Sequence, residues 1–400
     1  MKKSILVLCI FLCPLFTTGC WDRRELNDLA IVLGWGLDLK KDGTYIGSAQ
    51  FAIPAKLGSS SGGNGGASAG EGYLLETATG KSASDVSQNM QLKLSRRIFA
   101  SHRRVIVMGE NLAKEGLANI TDEFSRNPEV RLRTDMFVVK GSTAREFLSV
   151  PYPLENIPAI APLKIHESVG GTVSTTFKQF LAEATADGSS ATLPIIELSN
   201  SGAEANNGEQ QKAKTFKITG RAIFNDDLQM IGILSAPEAR DRFWVRGELL
   251  VNTLTVSVPE GKGKVSFFGR KYKNKIKPSL QGDKIKFTIS LSSKGVIREN
   301  NTNLDLRNYR NIKIIERALN KQVKRHVSQT VAHVQQEYSM DVFGFGETFH
   351  RKYPQEWKKI KDNWSTKFAE AEIVVHSDVR IEEVGSTGPS LLLREREIKK

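Results

Sequence analysis

No cysteine occurs after position 20 of this 400-residue chain; the three that it has are Cys9, Cys13 and Cys20. Everything that follows must therefore hold together without internal disulfides, by burial of apolar surface alone. A chain of this length can do so as two or three domains. The stapling on which small exported scaffolds depend is not required.

Those cysteines sit in a segment with the layout of a secretory signal: Lys2 and Lys3, an apolar run over 5–16, then Thr17, Thr18 and Gly19 before Cys20. A run of this length falls short of the roughly 20 residues that a membrane-spanning helix needs. Removal is expected rather than retention. Gly19-Cys20 at the end of the run resembles a lipobox, with Thr17 standing where leucine is usual. Cleavage between them makes Cys20 the mature N-terminus, carrying diacylglycerol on sulfur and an acyl chain on nitrogen. Arg23 and Arg24 then lie within a Debye length of the bilayer, where each contributes about 1 kcal/mol on an anionic leaflet. The formal net charge of +13 suits lipid headgroups or wall polymers. Nucleic acid, the other common partner of a basic chain, is excluded by export. No later stretch reaches about 18 consecutive apolar residues, so attachment is expected to rest on the lipid.

Residues 58–72 are nearly all Gly, Ser, Ala and Asn and predict a flexible loop between strands over 48–53 and 73–79. Ser82 predicts a helix start, with Val86, Met90 and Leu94 at helical spacing. A strand over 104–108, a helix carrying Leu112, Leu117, Ile120 and Phe124, and a strand over 135–139 complete a mixed α/β pattern. Pro151, Pro153, Pro158 and Pro162 interrupt any helix and lead into a small unit with a helix over 175–185 and a strand over 193–198. Beyond the polar stretch 199–214, strands are expected over 216–224, 228–234, 248–258, 264–268 and 284–296. A helix of about thirty residues then carries one apolar stripe from Ile312 to Tyr338, and a shorter helix repeats Trp357, Ile360, Trp364 and Phe368. That aromatic stripe is expected to be core rather than a partner groove. A last strand alternates Ile373, Val375, Val379 and Ile381. The fold class is multidomain α+β, mixed α/β, each domain a β-sheet packed with helices, and the C-terminal one an antiparallel sheet with a long helix. The expected division is a signal over 1–19, an α/β domain over 20–150, a small unit over 151–205 separate from or continuous with it, an α+β domain over 206–385 and a basic tail over 386–400.

The chemical motifs are weak. Gly58 to Gly62 spells Gly-x-Ser-x-Gly but inside the Gly/Ser loop, not at a strand-to-helix elbow. Gly80-Lys81-Ser82 copies the end of a phosphate loop whose first glycine would have to be Leu75. His326, His333 and Glu337 fall at helical spacing, yet no His-Glu-x-x-His occurs. No catalytic residue, metal or cofactor is expected. The strongest charge feature is 262–286, with nine Lys or Arg against Asp283 alone. In it Lys271, Lys273, Lys275 and Lys277 alternate with Tyr272, Asn274 and Ile276, so a strand would point four ammonium groups to one side. They are either a charged edge that resists strand pairing or a contact for an anionic surface.

Several blocks carry a family resemblance. Cys20-Trp21-Asp22-Arg23-Arg24-Glu25-Leu26 with Leu29-Ala30 resembles the mature start of the C subunits of GerA-type spore germinant receptors. The Val-Ile-Val-Met-Gly-Glu core of 102–117, and Arg126-Asn127-Pro128-Glu129-Val130-Arg131, are similar to blocks of that family's N-terminal region. Ile218-Thr219-Gly220-Arg221-Ala222-Ile223-Phe224 with Ile231-Gly232 resembles the opening of its C-terminal domain. Asp341-Val342-Phe343-Gly344-Phe345-Gly346, Tyr353-Pro354, Trp357 and Trp364 resemble its end. The resemblance implies a lipid-anchored, non-enzymatic subunit on the outer face of the spore's inner membrane, partnered by two integral membrane subunits, one transporter-like. A tethered solute-binding lipoprotein is the alternative; it calls for two similar lobes around a cleft, whereas these halves differ in pattern.

Overall fold

The structure is a computed structural model describing residues 25–57, 72–152, 154–168, 175–200, 214–385, 389–390 and 394–399. The loop expected over 58–72 lies, but for its last residue, outside them. Two sheets organise the chain. The first contains β1 (Leu29–Leu39), β2 (Tyr45–Ala52), β3 (Tyr73–Gly80), β4 (Arg97–Phe99), β5 (Val105–Gly109), β6 (Asp135–Lys140), β7 (Thr192–Asn200), β8 (Lys214–Phe224) and β9 (Met230–Ser235). Its order is β3-β2-β1-β5-β6-β7-β8-β9, with β4 beside the start of β1. The four central strands β1, β5, β6 and β7 run parallel and the flanking pairs antiparallel.

Parallel strands at the middle of a sheet are covered on both faces and read as continuous apolar runs. In β5, Val105 and Val107 face one core while Ile106 and Met108 face the other. On the second of these faces lie α1 (Ala83–Gln91), α2 (Glu110–Glu115), α3 (Ala118–Arg126) and α6 (Phe177–Thr185), which bury Val86, Leu112, Ile120, Phe124 and Phe180. The opposite face takes α4 (Ala144–Leu148) and the approach to α5 (Ala161–Ser168). Ser82 caps α1 by accepting from the Asp85 N–H. The single helix expected over 112–124 is two, because the chain breaks at Gly116 with φ +130.

The strand at the sheet's centre, β1, is the one that the hydrophobic pattern does not announce. Its sequence LAIVLGWGLDL has no alternation, and two glycines interrupt it. They are there for close approach: a Cβ on Gly34 would stand 2.3 Å from the Ala159 Cβ, and one on Gly36 2.9 Å from Leu148. The proline-rich segment that comes this close is held by buried Gln50, which donates to the Leu148 carbonyl (2.6 Å) and accepts from the Ala159 N–H (3.0 Å).

The second sheet is β10 (Asn252–Val258), β11 (Gly263–Gln281), β12 (Lys284–Asn300) and β13 (Glu372–Glu383), in that order. The strands expected over 216–224 and 228–234 do form, but as β8 and β9 they pair with β7 and complete the first sheet. Between the sheets runs α7 (Ala236–Arg246), which the sequence pattern did not suggest. The first three strands of the second sheet are antiparallel, while β13 lies parallel to β12. A parallel return requires a long crossover, here α8 (Tyr309–Glu337), α9 (Phe345–Lys352), α10 (Pro354–Ile360) and α11 (Trp364–Glu370). The apolar stripe of α8 packs on the sheet through Ile315, Leu319, Val323, Val327 and Val331. The expected Trp357–Phe368 helix is α10 and α11 joined by a 3-10 turn over Lys361–Asn363. Its aromatics are core: Trp357 is 1% and Trp364 6% exposed.

Because Ala159 leaves no room above Gly34, Gly34→Ala is expected to cost about 1–3 kcal/mol through overpacking. Adding Ala159→Gly should recover part of that loss. Urea denaturation of the single and double variants measures both.

Candidate functional site

The four lysines sit where the pattern expected, in the long strand β11. Lys271, Lys273, Lys275 and Lys277 are all exposed, while Tyr272, Asn274 and Ile276 turn inward. The inward residues fix the strand on α7: Tyr272 meets Trp244 edge-on at 4.8 Å, and Asn274 donates to the Val245 carbonyl (2.6 Å). The register puts Lys271 opposite Lys294, and Lys273, Lys275 and Lys277 opposite Ser292, Ser290 and Thr288. The face is thus a row of ammonium groups beside a row of short hydroxyls. On the far side β13 contributes His376, Asp378 and Arg380, with Asp378 tied up by Arg380 at 2.9 Å. Glu382 approaches Lys271 (3.4 Å) and Lys294 (3.1 Å). Lys273, Lys275 and Lys277 form no ion pair among the described residues. Beyond Gly269, β11 pairs with β12 alone, so the same lysines also border a sheet edge.

A second charged assembly lies inside. Glu183 on α6 accepts from Arg242 on α7 (2.8 Å), and both side chains are cut off from water at 2% and 0% exposure. Arg242 also meets Glu248 (3.1 Å), which holds Arg246 (2.8 Å). Glu183 accepts the Thr192 N–H (3.2 Å), and Thr192 in turn accepts from Arg221 of β8 through Oγ1 (3.0 Å) and its carbonyl (2.8 Å). Burial pushes the Glu183 carboxyl up, but the facing guanidiniums of Arg242, Arg246 and Arg221 outweigh it and hold it at about 2. Burial likewise lowers Arg221, to about 9, with Arg242 adding to the effect. Sequence reasoning missed this cluster. Its trace was an acid, Glu183, three residues after Phe180 and six after Phe177, on the apolar stripe of a helix.

Among the described residues no group of three or more His, Cys, Asp or Glu is placed to hold a metal ion. His333 turns instead to Glu238, at 2.6 Å. Gly344 carries φ +78 at the start of α9, and the backbone N–H groups of Phe343, Gly344 and Gly346 point to the buried Asp341 carboxylate. That bend is closed on itself, with Trp364 donating to the same carboxylate (3.2 Å). Gly19, Cys20, Arg23 and Arg24 lie outside the described residues.

Comparison with known proteins gives this architecture its class. Residues 22–198 match the family described as Spore germination protein N-terminal domain, and 219–385 match Spore germination B3/GerAC like, C-terminal. The chain belongs to this GerAC-like family of spore germination proteins. The Bacillus subtilis (strain 168) protein YfkR is 30% identical over 389 residues, 96% of this chain and 98% of that one. Spore germination protein KC of the same organism is 26% identical, covering 96% and 97%, and Spore germination protein B3 is 24% identical, covering 97% and 100%. The crystal structure of the GerBC protein matches 90% of this chain and all of that chain with a TM-score of 0.57 at 18% identity, which establishes a shared fold.

Glu183→Gln leaves Arg242 buried without its counter-charge and is expected to cost about 3–5 kcal/mol. The carboxylate titrates near 2 when folded against 4.5 when free. Its stabilisation is therefore complete above about 4.5 and drains away as pH falls toward 2. Urea midpoints across that window should fall less steeply with acid in the variant than in the parent.

Proposed function

We propose that this protein is the lipid-anchored, non-enzymatic C subunit of a spore germinant receptor, needed for germination in response to nutrients. Acylated Cys20 holds it on the outer face of the spore inner membrane, and it assembles there with two integral membrane subunits, one of them transporter-like. The observation that carries this reading is the end-to-end likeness to spore germination proteins, about 96% of the chain in each case. The apolar run ending at Gly19-Cys20 supports the anchor, and Arg23 and Arg24 beside it suit an anionic leaflet. No described helix is long and apolar enough to cross a membrane.

Two acyl groups are needed because a single chain, at about 0.8 kcal/mol per buried CH₂, binds only marginally. Cys20→Ala is accordingly expected to abolish processing at Gly19-Cys20 and to leave the protein out of the membrane fraction of spores. Retention of that variant in the membrane at the parental level would overturn the anchor.

We assign the exposed face of β11 to contact with an anionic surface, lipid or acidic partner. Replacing Lys271, Lys273, Lys275 and Lys277 together by Gln should leave folding intact, since all four are exposed. Association with anionic vesicles or with the membrane subunits should weaken, most at low salt where screening is least. If the lysines serve only to keep an edge from pairing, binding will be unchanged at every salt concentration and light scattering will show more self-association.

A further inference from the structure

A cavity of about 380 Å³ opens between the two sheets, under α7 and beside the start of β10. That volume lies within the range of small-molecule sites, which are apolar hollows with a few convergent polar groups. Its walls are apolar, including Ile218, Phe243, Leu249 and Phe268, and Arg240 stands among them. Arg221 also lines it, at 2% exposure. Two of the three guanidinium nitrogens of Arg221 are spent on Thr192. The third, Nη1, is buried and finds no hydrogen-bond partner among the described residues. Buried polar atoms are rarely left so, because the lost solvation is costly.

The charge around it is unbalanced in the same sense. Arg221, Arg242 and Arg246 share Glu183 and Glu248, and no carboxylate of the described residues stands within ion-pair distance of Arg221. Its plane lies 5.3 Å from the centre of the Phe243 ring, a cavity wall, and Phe268 opposite is flanked by Arg298 and Arg270. A neutral or cationic guest would leave this excess positive charge unanswered. An anion that accepts from Nη1 answers it, and a carboxylate does so with the strength of a charge-assisted hydrogen bond. The remainder of the guest must be apolar to fit the walls.

We propose that this cavity binds a small carboxylate with a compact apolar body, its charged end on Arg221 and its body against Phe243 and Leu249. The assignment rests on the cavity alone and stands or falls independently of the receptor reading.

Four probes separate the contributions on the full-length protein: hydrocinnamate and isocaproate carry both features, hydrocinnamide lacks the charge, and acetate lacks the body. Binding is followed by calorimetry and ligand-observed NMR. Hydrocinnamate or isocaproate should bind at least about tenfold more tightly than hydrocinnamide and than acetate, the loss of one charged hydrogen bond being worth that much. Val251 lines the cavity and is only half-buried, so Val251→Trp fills the space without touching the charge cluster. It should weaken binding by a similar factor with an unchanged melting temperature, and Arg221→Lys should weaken it while keeping a cation in place. Myristate, whose chain exceeds the cavity, serves as the lipid-derived arm. The proposal is overturned if no carboxylate binds, if hydrocinnamide binds as well as hydrocinnamate, if Val251→Trp has no effect, or if myristate alone binds.

Discussion

Glu183 and Arg242 are the fixed point on which the rest of the structure is hung. A charge moved from water into an interior costs several kcal/mol even after relaxation, and only close pairing offsets it. Here the acid comes from α6, under the first sheet, and the base from α7, which backs the second. Any other docking of α7 would strand one of them. Against an apolar pair of the same volume the ion pair adds little net stability; its consequence is that one arrangement of the two sheets is allowed. Arg246 and Glu248 extend the cluster toward the α7 terminus, and Thr192 passes it to Arg221 in the first sheet.

A second tie works through the other end of the chain. The Ser190 N–H donates to the Asp341 carbonyl (2.8 Å), and a Cβ on Gly188 would collide with Trp357 at 2.3 Å. The turn after α6 is therefore packed directly on the C-terminal helices. Burial raises the Asp341 carboxyl, while the N–H groups of its bend and the Trp364 indole oppose that shift. The same residues that the family resemblance picks out near 341–364 thus work as a joint in the core. This division of labour leaves the outer face of β11 free of packing duties, which is what permits four lysines to stand on it.

Much of the fold was legible because period and composition act locally. The stripe of α8, the alternation of Lys271 to Lys277 and the cap at Ser82 each follow from side-chain geometry within a few turns. What escaped is non-local. β1 lies buried on both faces, so its strand signal is not alternation but Gly34 and Gly36, whose reason is Ala159 and Leu148 far along the chain. The polar stretch at 199–214 reads as a boundary, and the two family regions, 22–198 and 219–385, part near it. Yet β7 and β8, on either side, pair with each other. A polar loop between paired strands and a linker between domains look alike in sequence. Glu183 and Arg242 escaped for the same reason, since each is a charge whose partner is supplied only by folding.

The receptor reading places a lipid-held body, internally locked and basic on one sheet face, beside membrane subunits. Affinity purification of the full-length protein from spore inner membranes tests this most directly. The account predicts that two integral membrane proteins, one transporter-like, co-purify with it in constant proportion. Recovery of the protein from those membranes by itself, with no membrane protein retained at low salt, would contradict it.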